Sequence, residues 1–233
     1  MASDDRTIEE YLAAIASEQV APAGGSAVAI AGAMGAALCE MVCIHTLAAR
    51  EDPNRDATAD TDCPDTNIRA DGEPTLRELQ TDLERERGRL LALAGGDAEL
   101  VEDLFGGGAD GSTARLRKRA TGVPLAIAEA SVTVLEGATI ASERGRPGVA
   151  ADATTGAYLA DAAIRASLAT VRTNLETLSD DEFAADVAER MATIEAAAAA
   201  LRTEAFDADF APPNGSDPAE QDGRQAPNGP PDS

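Results

Sequence analysis

The chain has 233 residues, of which 42 are acidic and 19 are basic, so its formal net charge is −23. A charge of this sign and size repels nucleic acid and anionic membranes, so we expect neither as a partner. Aromatic residues make up 3% of the chain and tryptophan is absent. This argues against a β-sandwich or β-barrel, because those folds need many aromatic and β-branched side chains.

The acidic excess also predicts where the protein works. Molar salt shortens the Debye length to about 3 Å and removes most of the self-repulsion, so this surface is typical of a high-salt cytoplasm. An ordinary acidic protein is the alternative. The chain opens with acidic residues where a signal peptide would be basic, and its three cysteines are too few for a disulfide framework. We therefore expect a soluble cytoplasmic protein.

Apolar periodicity predicts six or seven helices and no strand. The first helix is predicted over residues 6–17, with Ile8, Leu12 and Ile15 on one face that we expect to point inward. A breaker rich in proline and glycine follows, and Ser26 at its end is a typical N-cap residue.

The second helix is predicted from Ser26 to about Ala49 and is apolar on almost every side. Glu40 is its only charge between Ala27 and Ile44, and a lone carboxylate is costly in a bilayer. The pattern therefore favours the central helix of a bundle over a membrane span. Residues 51–74 are polar and acidic and predict an exposed loop insertion.

The third helix is predicted to open with the capping box Thr75-Leu-Arg-Glu78. Its inward positions are leucines, namely Leu76, Leu79, Leu83 and Leu90. Gly95-Gly96 predicts the end of this helix, and Asp97 then caps a short helix that ends at Phe105.

A fourth helix is predicted over 112–143, with a kink at Pro124. The turn after it delivers Asp152 just ahead of a fifth helix over 154–178. Ser179-Asp-Asp-Glu182 is a second capping box that opens the last helix. From Asp207 the composition predicts a disordered acidic tail.

These narrow apolar stripes predict an all-α fold, an antiparallel helical bundle formed by residues 1–206. Alanine faces are left over on the second and fifth helices. Such faces indicate a further partner, so we expect a homodimer that forms through helix faces.

Helix geometry argues against a zinc site on the second helix. His45 is the only histidine of the chain, and a zinc site would need it beside Cys39 and Cys43. The two cysteines share a helix face, but His45 lies about 200° round the helix from Cys43. The sequence therefore predicts buried core thiols and no metal site.

Each of the other polar features has a functional and a purely structural interpretation. The turn 22–26 is able to cradle an anion at a helix N-terminus, or is an ordinary cap. The basic cluster 115–119, which holds Lys118, either collects a substrate carboxylate or is a solvated face. Asp97 and Asp152 are either plain N-caps or functional carboxylates.

Several landmarks in order carry a family resemblance. They include Ile8-Glu-Glu-Tyr-Leu12, Pro22-Ala-Gly-Gly-Ser26 running into a long apolar helix, and Gly145-Arg-Pro-Gly-Val-Ala-Ala-Asp152. Together with Val171-Arg-Thr-Asn-Leu175, they resemble the cyclodeaminase/cyclohydrolase family of folate one-carbon enzymes. The likeness covers about residues 6–203. It departs from the family pattern at Ala23, where the family has glycine, and at Ala151, where it has serine.

The resemblance implies an all-α homodimer that acts on C–N bonds of a tetrahydrofolate derivative without a cofactor. Methenyltetrahydrofolate cyclohydrolase is the activity we favour, because no transferase domain accompanies this chain, and formiminotetrahydrofolate cyclodeaminase is the alternative. A non-catalytic helical interaction module is a third hypothesis, and it predicts no folate binding.

The resemblance also implies a catalytic role for the carboxylates, because methenyltetrahydrofolate is a delocalised cation that water attacks. A carboxylate stabilises the cation and takes the proton of the water. Asp152 is our first candidate for this role and Asp97 is the second. The substrate-binding candidates are Gly24, Gly25 and Ser26 of the turn, with Arg172, Asn174 and Lys118 near the glutamate tail.

Overall fold

The structure is a computed structural model that describes residues 6–51, 74–105 and 113–206. These residues form six helices and no strand, so the all-α prediction is confirmed for them. The helices are α1 (Ile8–Ile15), α2 (Gly24–Glu51), α3 (Leu76–Phe105), α4 (Thr113–Arg144), α5 (Ala150–Leu175) and α6 (Asp181–Phe206). Most of the predicted acidic insertion and all of the predicted acidic tail lie outside the described residues.

Helix α2 packs against α3, α4 and α5, whereas α4 packs against α2, α3, α5 and α6, so α4 rather than the predicted second helix is the most central. The inner face of α2 consists of small residues that are buried, among them Ala29, Ala33, Ala36 and Cys39. At the contact with α5 the backbones nearly touch. A Cβ on Gly35 would lie 2.8 Å from the carbonyl oxygen of Gly156, and one on Gly156 would lie 2.6 Å from Cys39 Sγ. The alanine and glycine content of the chain thus allows this close helix pairing.

The predicted apolar stripes of α3 to α6 form the core. The leucines predicted to face inward on α3, namely Leu76, Leu79, Leu83 and Leu90, are all buried. The capping box that opens α3 is also present, because Glu78 N donates to Thr75 Oγ1 at 3.2 Å and Thr75 N donates to Glu78 Oε2 at 2.8 Å. Pro124 lies inside α4, as predicted.

Helix α1 differs from its prediction. Ile8, Leu12 and Ile15 do not point inward, since they are 81%, 58% and 37% exposed. The side chains of α1 that are half-buried are Tyr11 and Ala14, which lie three residues apart on another face. A short helix with two candidate faces leaves the choice to its tertiary contacts, which periodicity does not reveal.

Helix α3 also differs, because it continues through Gly95-Gly96 to Phe105. The predicted break and the predicted N-cap role of Asp97 are therefore wrong. Glycine costs about 1 kcal/mol within a helix. The burial of Ala94 and Leu100 on either side of the glycine pair offsets this cost.

Three residues that were predicted as N-caps do not cap their helices in the structure. Ser26 is not the N-cap of α2, because α2 begins at Gly24. Asp152 is not the N-cap of α5, since α5 begins at Ala150 and Asp152 lies in its first turn. At the start of α6 the capping side chain is Asp180 rather than Ser179, because Asp180 Oδ1 accepts from the backbone N–H of Phe183 at 3.0 Å.

Contacts between helix ends occur at two ends of the molecule. We call them the Asp97 end and the Asp152 end, after the aspartate that lies at each. At the Asp97 end, the start of α2 contacts the last third of α3, and Asn174 near the end of α5 donates to Ala120 O of α4 at 2.7 Å. At the Asp152 end, Arg144 near the end of α4 donates to Pro74 O before α3 at 2.6 Å. There the N–H of Arg146 also donates to Thr46 Oγ1 of α2 at 3.0 Å.

Two helices within the described residues are long and apolar enough to cross a membrane, Gly24–Arg50 and Ala114–Arg144. Length and composition alone are weak evidence of a span, because the core helices of soluble proteins pass the same test. Within α2, Glu40 forms an ion pair with Arg87 of α3 at 2.9 Å. That pair satisfies the one carboxylate that interrupts the apolar run.

Candidate active site

The site begins with Asp97, which α3 presents to the first turn of α2. The side chain is placed there because α3 does not break at its glycine pair. Asp97 is 8% exposed, and its Oδ2 accepts a hydrogen bond from Ser26 Oγ at 3.0 Å. The sequence analysis selected both residues as candidates, but the carboxylate contacts another helix instead of capping its own.

Gly25 makes this contact possible. A Cβ at Gly25 would lie 2.2 Å from Asp97 Oδ1 and 2.5 Å from its Cγ, which is closer than any real Cβ contact. A Cβ at the neighbouring Gly24 would meet nothing within 4 Å. Only the second glycine of the turn is therefore required by the packing of Asp97.

The environment changes the acidity of Asp97. Burial raises the pKa of this carboxyl above its ordinary value, and the hydrogen bonds from the side chain and backbone of Ser26 act in the opposite direction. A carboxylate with a raised pKa is a stronger base than an exposed one, and its pKa is closer to neutral pH. The arrangement thus suits proton transfer.

Ser26 connects Asp97 to the backbone of α3. Its hydroxyl lies 3.0 Å from Asp97 Oδ2 and 3.0 Å from Ala94 O. A serine hydroxyl has one proton and can also accept. When Asp97 is ionised, Ser26 donates to it. When Asp97 is protonated, Ser26 is able to donate to Ala94 O and accept from Asp97, so both states of the carboxyl are accommodated.

Tyr11 of α1 is a further polar side chain that the charge of Asp97 affects, and the sequence analysis did not select it. Its hydroxyl is buried and has no hydrogen-bond partner among the described residues. Burial raises the pKa of Tyr11, the negative charge of Asp97 raises it further, and Arg6 lowers it. The signal in the sequence was a tyrosine that falls between the apolar positions of the first helix.

The predicted substrate-binding residues of the later helices lie at the same end of the molecule. Lys118 Nζ is 2.5 Å from Asp180 and lies 5.1 Å above the ring centre of Phe183. Arg172 forms an ion pair with Glu195. Asn174 ties α5 to α4 through Ala120 O. Each already has a protein partner.

A cleft of about 300 Å³ adjoins Lys118. Its lining includes Arg117, Leu178 and Ser179. Arg117 contacts the rim through a weak hydrogen bond to Thr177 O at 3.4 Å. Asp180, the ion-pair partner of Lys118, also lines the cleft, so a carboxylate of a ligand would share Lys118 with Asp180 and would have Arg117 as a second cation.

Asp152 is not near these residues within one chain. It precedes Arg172 by twenty positions on the continuous helix α5, which corresponds to about 30 Å. Asp152 is half-buried in the first turn of α5, where a carboxylate interacts favourably with the helix dipole. The structure thus brings Asp97, Gly24, Gly25 and Ser26 together and places Asp152 at the other end.

The cysteine and histidine side chains of α2 point in different directions. Cys39 and Cys43 are buried, and burial raises the pKa of both thiols to about 12, so they are protonated at neutral pH. His45 is exposed. Within residues 6–51, 74–105 and 113–206, no three His, Cys, Asp or Glu side chains come together as metal ligands would.

Comparison with known proteins identifies the family of the chain. The family model of formiminotransferase-cyclodeaminase matches residues 7–107 and 109–193. Methenyltetrahydrofolate cyclohydrolase of Methylorubrum extorquens is 29% identical over 215 residues, which are 87% of this chain and 95% of that protein. A crystal structure of formiminotetrahydrofolate cyclodeaminase from Thermotoga maritima shares the fold, with a TM-score of 0.72 at 23% identity over 87% of this chain and 95% of that one. The chain therefore belongs to the formiminotransferase-cyclodeaminase family.

Proposed function

We propose that this protein is a methenyltetrahydrofolate cyclohydrolase, which adds water to 5,10-methenyltetrahydrofolate and yields 10-formyltetrahydrofolate. The observation that carries the proposal is Asp97, a buried carboxyl with a raised pKa at the glycine turn. The cyclohydrolase of Methylorubrum extorquens, of which the match covers 95%, supports it.

The proposed reaction needs one base and no cofactor. Water attacks the bridging carbon of the cation, a C–O bond forms, and Asp97 takes one proton of the water. The remaining O–H proton is then transferred to N5 as the C–N5 bond breaks and the C=O bond of the formyl group forms. The proton on Asp97 leaves to solvent. Before the attack, the negative charge of Asp97 stabilises the bound cation.

The other residues have supporting roles in this proposal. Ser26 orients Asp97, and Gly25 allows the carboxyl to approach the start of α2. Gly24 is exposed, so the turn is open to a ligand. We assign the glutamate tail of the substrate to Lys118 and its cleft, with Arg172 nearby and Asn174 fixing the end of α5.

A direct assay tests the proposal. Purified protein in molar salt is incubated separately with methenyl- and formiminotetrahydrofolate, and loss of the methenyl absorbance and release of ammonia are measured. We expect hydrolysis of the methenyl compound. Ammonia release from the formimino compound with no hydrolysis would instead establish a cyclodeaminase. If the protein neither binds nor turns over either folate, this result would contradict an enzymatic role and favour the interaction module.

We further propose that the helices form an antiparallel bundle that dimerises through the outer stripe of α2. This stripe follows helical spacing and is exposed or half-buried along its length, comprising Ala27, Ile30, Ala31, Met34, Ala37, Leu38, Met41, Ile44, His45 and Ala48. It contains no charged side chain, although the chain as a whole carries a net charge of −23. An uncharged apolar face on such a protein is suited to a second copy.

The oligomeric state is measured by light scattering. Molar salt is used because the acidic composition predicts a high-salt cytoplasm. Met34 is 55% exposed, and we expect Met34→Asp to be monomeric because it places a charge in the interface. Leu91→Asp is the matched control, since Leu91 is a 43% exposed apolar side chain on α3. A monomeric wild type, or a Met34→Asp variant that remains dimeric, would refute this interface.

A further inference from the structure

Helix α1 presents its large aliphatic side chains to solvent. Ile8 and Leu12 are 81% and 58% exposed, which are the highest values for large apolar side chains among the described residues. Ile15, on the same side of the helix, is 37% exposed. We call these three residues the α1 face. Apolar side chains that are exposed singly are ordinary, but a contiguous row of them is typical of an interaction surface.

Helix α1 is a regular helix, although it has little support from its own chain. A capping box opens it, since Glu10 N donates to Thr7 Oγ1 at 3.2 Å and Thr7 N donates to Glu10 Oε2 at 2.8 Å. Each helix from α2 to α6 packs against at least two others, whereas α1 forms no comparable contact with any helix among the described residues. A helix of eight residues is marginally stable without tertiary packing, so α1 needs a further contact.

The rest of this chain is poorly suited to supply that contact. Outside the described residues the sequence has only three large apolar side chains, Met1, Ile68 and Phe210, and they are far apart along the chain. The residues around them are mostly small, polar or acidic. Such segments bring little apolar surface to bury, so another molecule is the better match for the α1 face.

We propose that the α1 face packs against a second copy of this chain and extends the dimer interface that the outer stripe of α2 forms. This inference rests on the dimer proposed above and does not depend on the proposed reaction. Residues 16–23 link the two helices and limit the distance between the end of α1 and the start of α2 to about 30 Å, whereas α2 is about 42 Å long. The α1 face therefore lies near the first part of the outer stripe, and the two surfaces together form one isologous interface.

The charge of the chain also favours a second copy as the occupant. Neither the α1 face nor the outer stripe of α2 contains a charged side chain, although the net charge of the chain is −23. A basic partner would bind the acidic surface instead of these uncharged faces. Two copies repel each other at low salt, but molar salt shortens the Debye length to about 3 Å and leaves the burial of apolar surface as the main term.

Leu12→Asp tests the inference, with Ala13→Asp as its matched control. Ala13 is also exposed on α1, but it lies about 100° round the helix from Leu12 and outside the α1 face. Both variants add one negative charge to the same helix. We expect Leu12→Asp to raise the dissociation constant of the dimer at least about 100-fold, because the change occurs twice per dimer. Ala13→Asp should stay within a few-fold of the wild type. The constants are measured by light scattering over a dilution series in molar salt, and circular dichroism checks that both variants keep the wild-type Tm.

Amide hydrogen exchange supplies a second measurement, which leaves the α1 face unchanged. An eight-residue helix that is not docked opens readily and exchanges fast, whereas a docked helix is protected. We expect the amides of residues 8–15 to be protected in the wild-type dimer and to exchange at least about tenfold faster in the monomeric Met34→Asp variant. The amides of α4, which lies in the core, should remain protected in both proteins.

The outcomes separate this inference from the proposed function. If the wild type is dimeric and Leu12→Asp dissociates no more readily than Ala13→Asp, the α1 contact is overturned and the α2 interface stands. Equal protection of residues 8–15 in the dimer and in monomeric Met34→Asp would overturn it as well, because the chain itself would then cover α1. If Met34→Asp stays dimeric while Leu12→Asp dissociates, the α1 contact is supported and the α2 interface is refuted. A monomeric wild type would overturn both. Hydrolysis of methenyltetrahydrofolate is assayed separately, so the proposed reaction stands or fails independently.

Discussion

The two ends of the molecule each place an aspartate at the first turn of a helix, but in different ways. Asp152 lies in the first turn of its own helix α5, half-buried. Asp97 belongs to α3 and reaches the first turn of α2, where it is 8% exposed and bonded to Ser26. The first arrangement stabilises a helix through its dipole. The second removes a carboxyl from water and makes it a stronger base, so burial between helices distinguishes the site from a helix end.

The largest effect is expected from Asp97→Asn. Asparagine has the size of aspartate but carries neither its charge nor its basicity, so kcat should fall by about two to four orders of magnitude. Folding should not suffer. Because burial raises the pKa of Asp97 above that of the unfolded chain, its ionisation costs stability at pH values above the folded pKa, and this cost is absent below the unfolded pKa.

We therefore expect the Tm of Asp97→Asn at neutral pH to equal or exceed that of the wild type, measured by circular dichroism in molar salt. A variant that loses activity together with a much lower Tm would indicate a structural carboxyl, and the functional distinction between the two ends would be lost.

A smaller effect is expected from the turn, where two adjacent glycines allow a controlled comparison. Gly25→Ala places a Cβ 2.2 Å from Asp97 Oδ1, so the carboxyl must move, whereas Gly24→Ala meets nothing within 4 Å. A displacement of about 1 Å at a catalytic group typically costs up to about 100-fold in rate. Steady-state kinetics should show a loss of tenfold or more for Gly25→Ala and little change for Gly24→Ala. Equal losses in both variants would mean that the turn acts in some way other than by admitting Asp97.

The smallest effect is a shift of the pH profile. The carboxylate is the active form, so kcat/KM falls as pH decreases through the raised pKa of Asp97. The hydrogen bonds from Ser26 lower this pKa. Ser26→Ala should therefore move the acid limb of the profile to higher pH, while the plateau at high pH changes less. A limb that moves to lower pH, or stays in place, would contradict the assignment of the limb to Asp97.

Much of the fold was predictable because the apolar periods of α3 to α6 are regular and α3 opens with an ordinary capping box of Thr75 and Glu78. The predictions failed where tertiary contacts decide. Gly95-Gly96 has the local signal of a helix end, yet burial on both sides carries the helix through it. The inward face of α1 was misassigned because eight residues offer two plausible faces.

The candidate site was predictable in part. Gly25, Ser26 and Asp97 were recognised as residues of interest, but their mutual contact depends on α3 remaining continuous, which the glycine pair concealed. The resemblance drew attention to Asp152, although its separation from Arg172 already follows from the predicted fifth helix over 154–178, which the structure shows as the single helix α5. Tyr11 was missed because its place between the apolar positions of the first helix is a weak signal, and an unpartnered hydroxyl is a property of the folded structure.

The most direct test of the central claim is a paired measurement of kcat/KM for Asp97→Asn and Asp152→Asn with methenyltetrahydrofolate in molar salt. If the Asp97 end is the active site, Asp97→Asn loses at least two orders of magnitude and Asp152→Asn stays within a few-fold of the wild type, because asparagine serves the first turn of a helix nearly as well. The reverse result, a large loss in Asp152→Asn with Asp97→Asn still active, would contradict the account and place catalysis at the other end of the molecule.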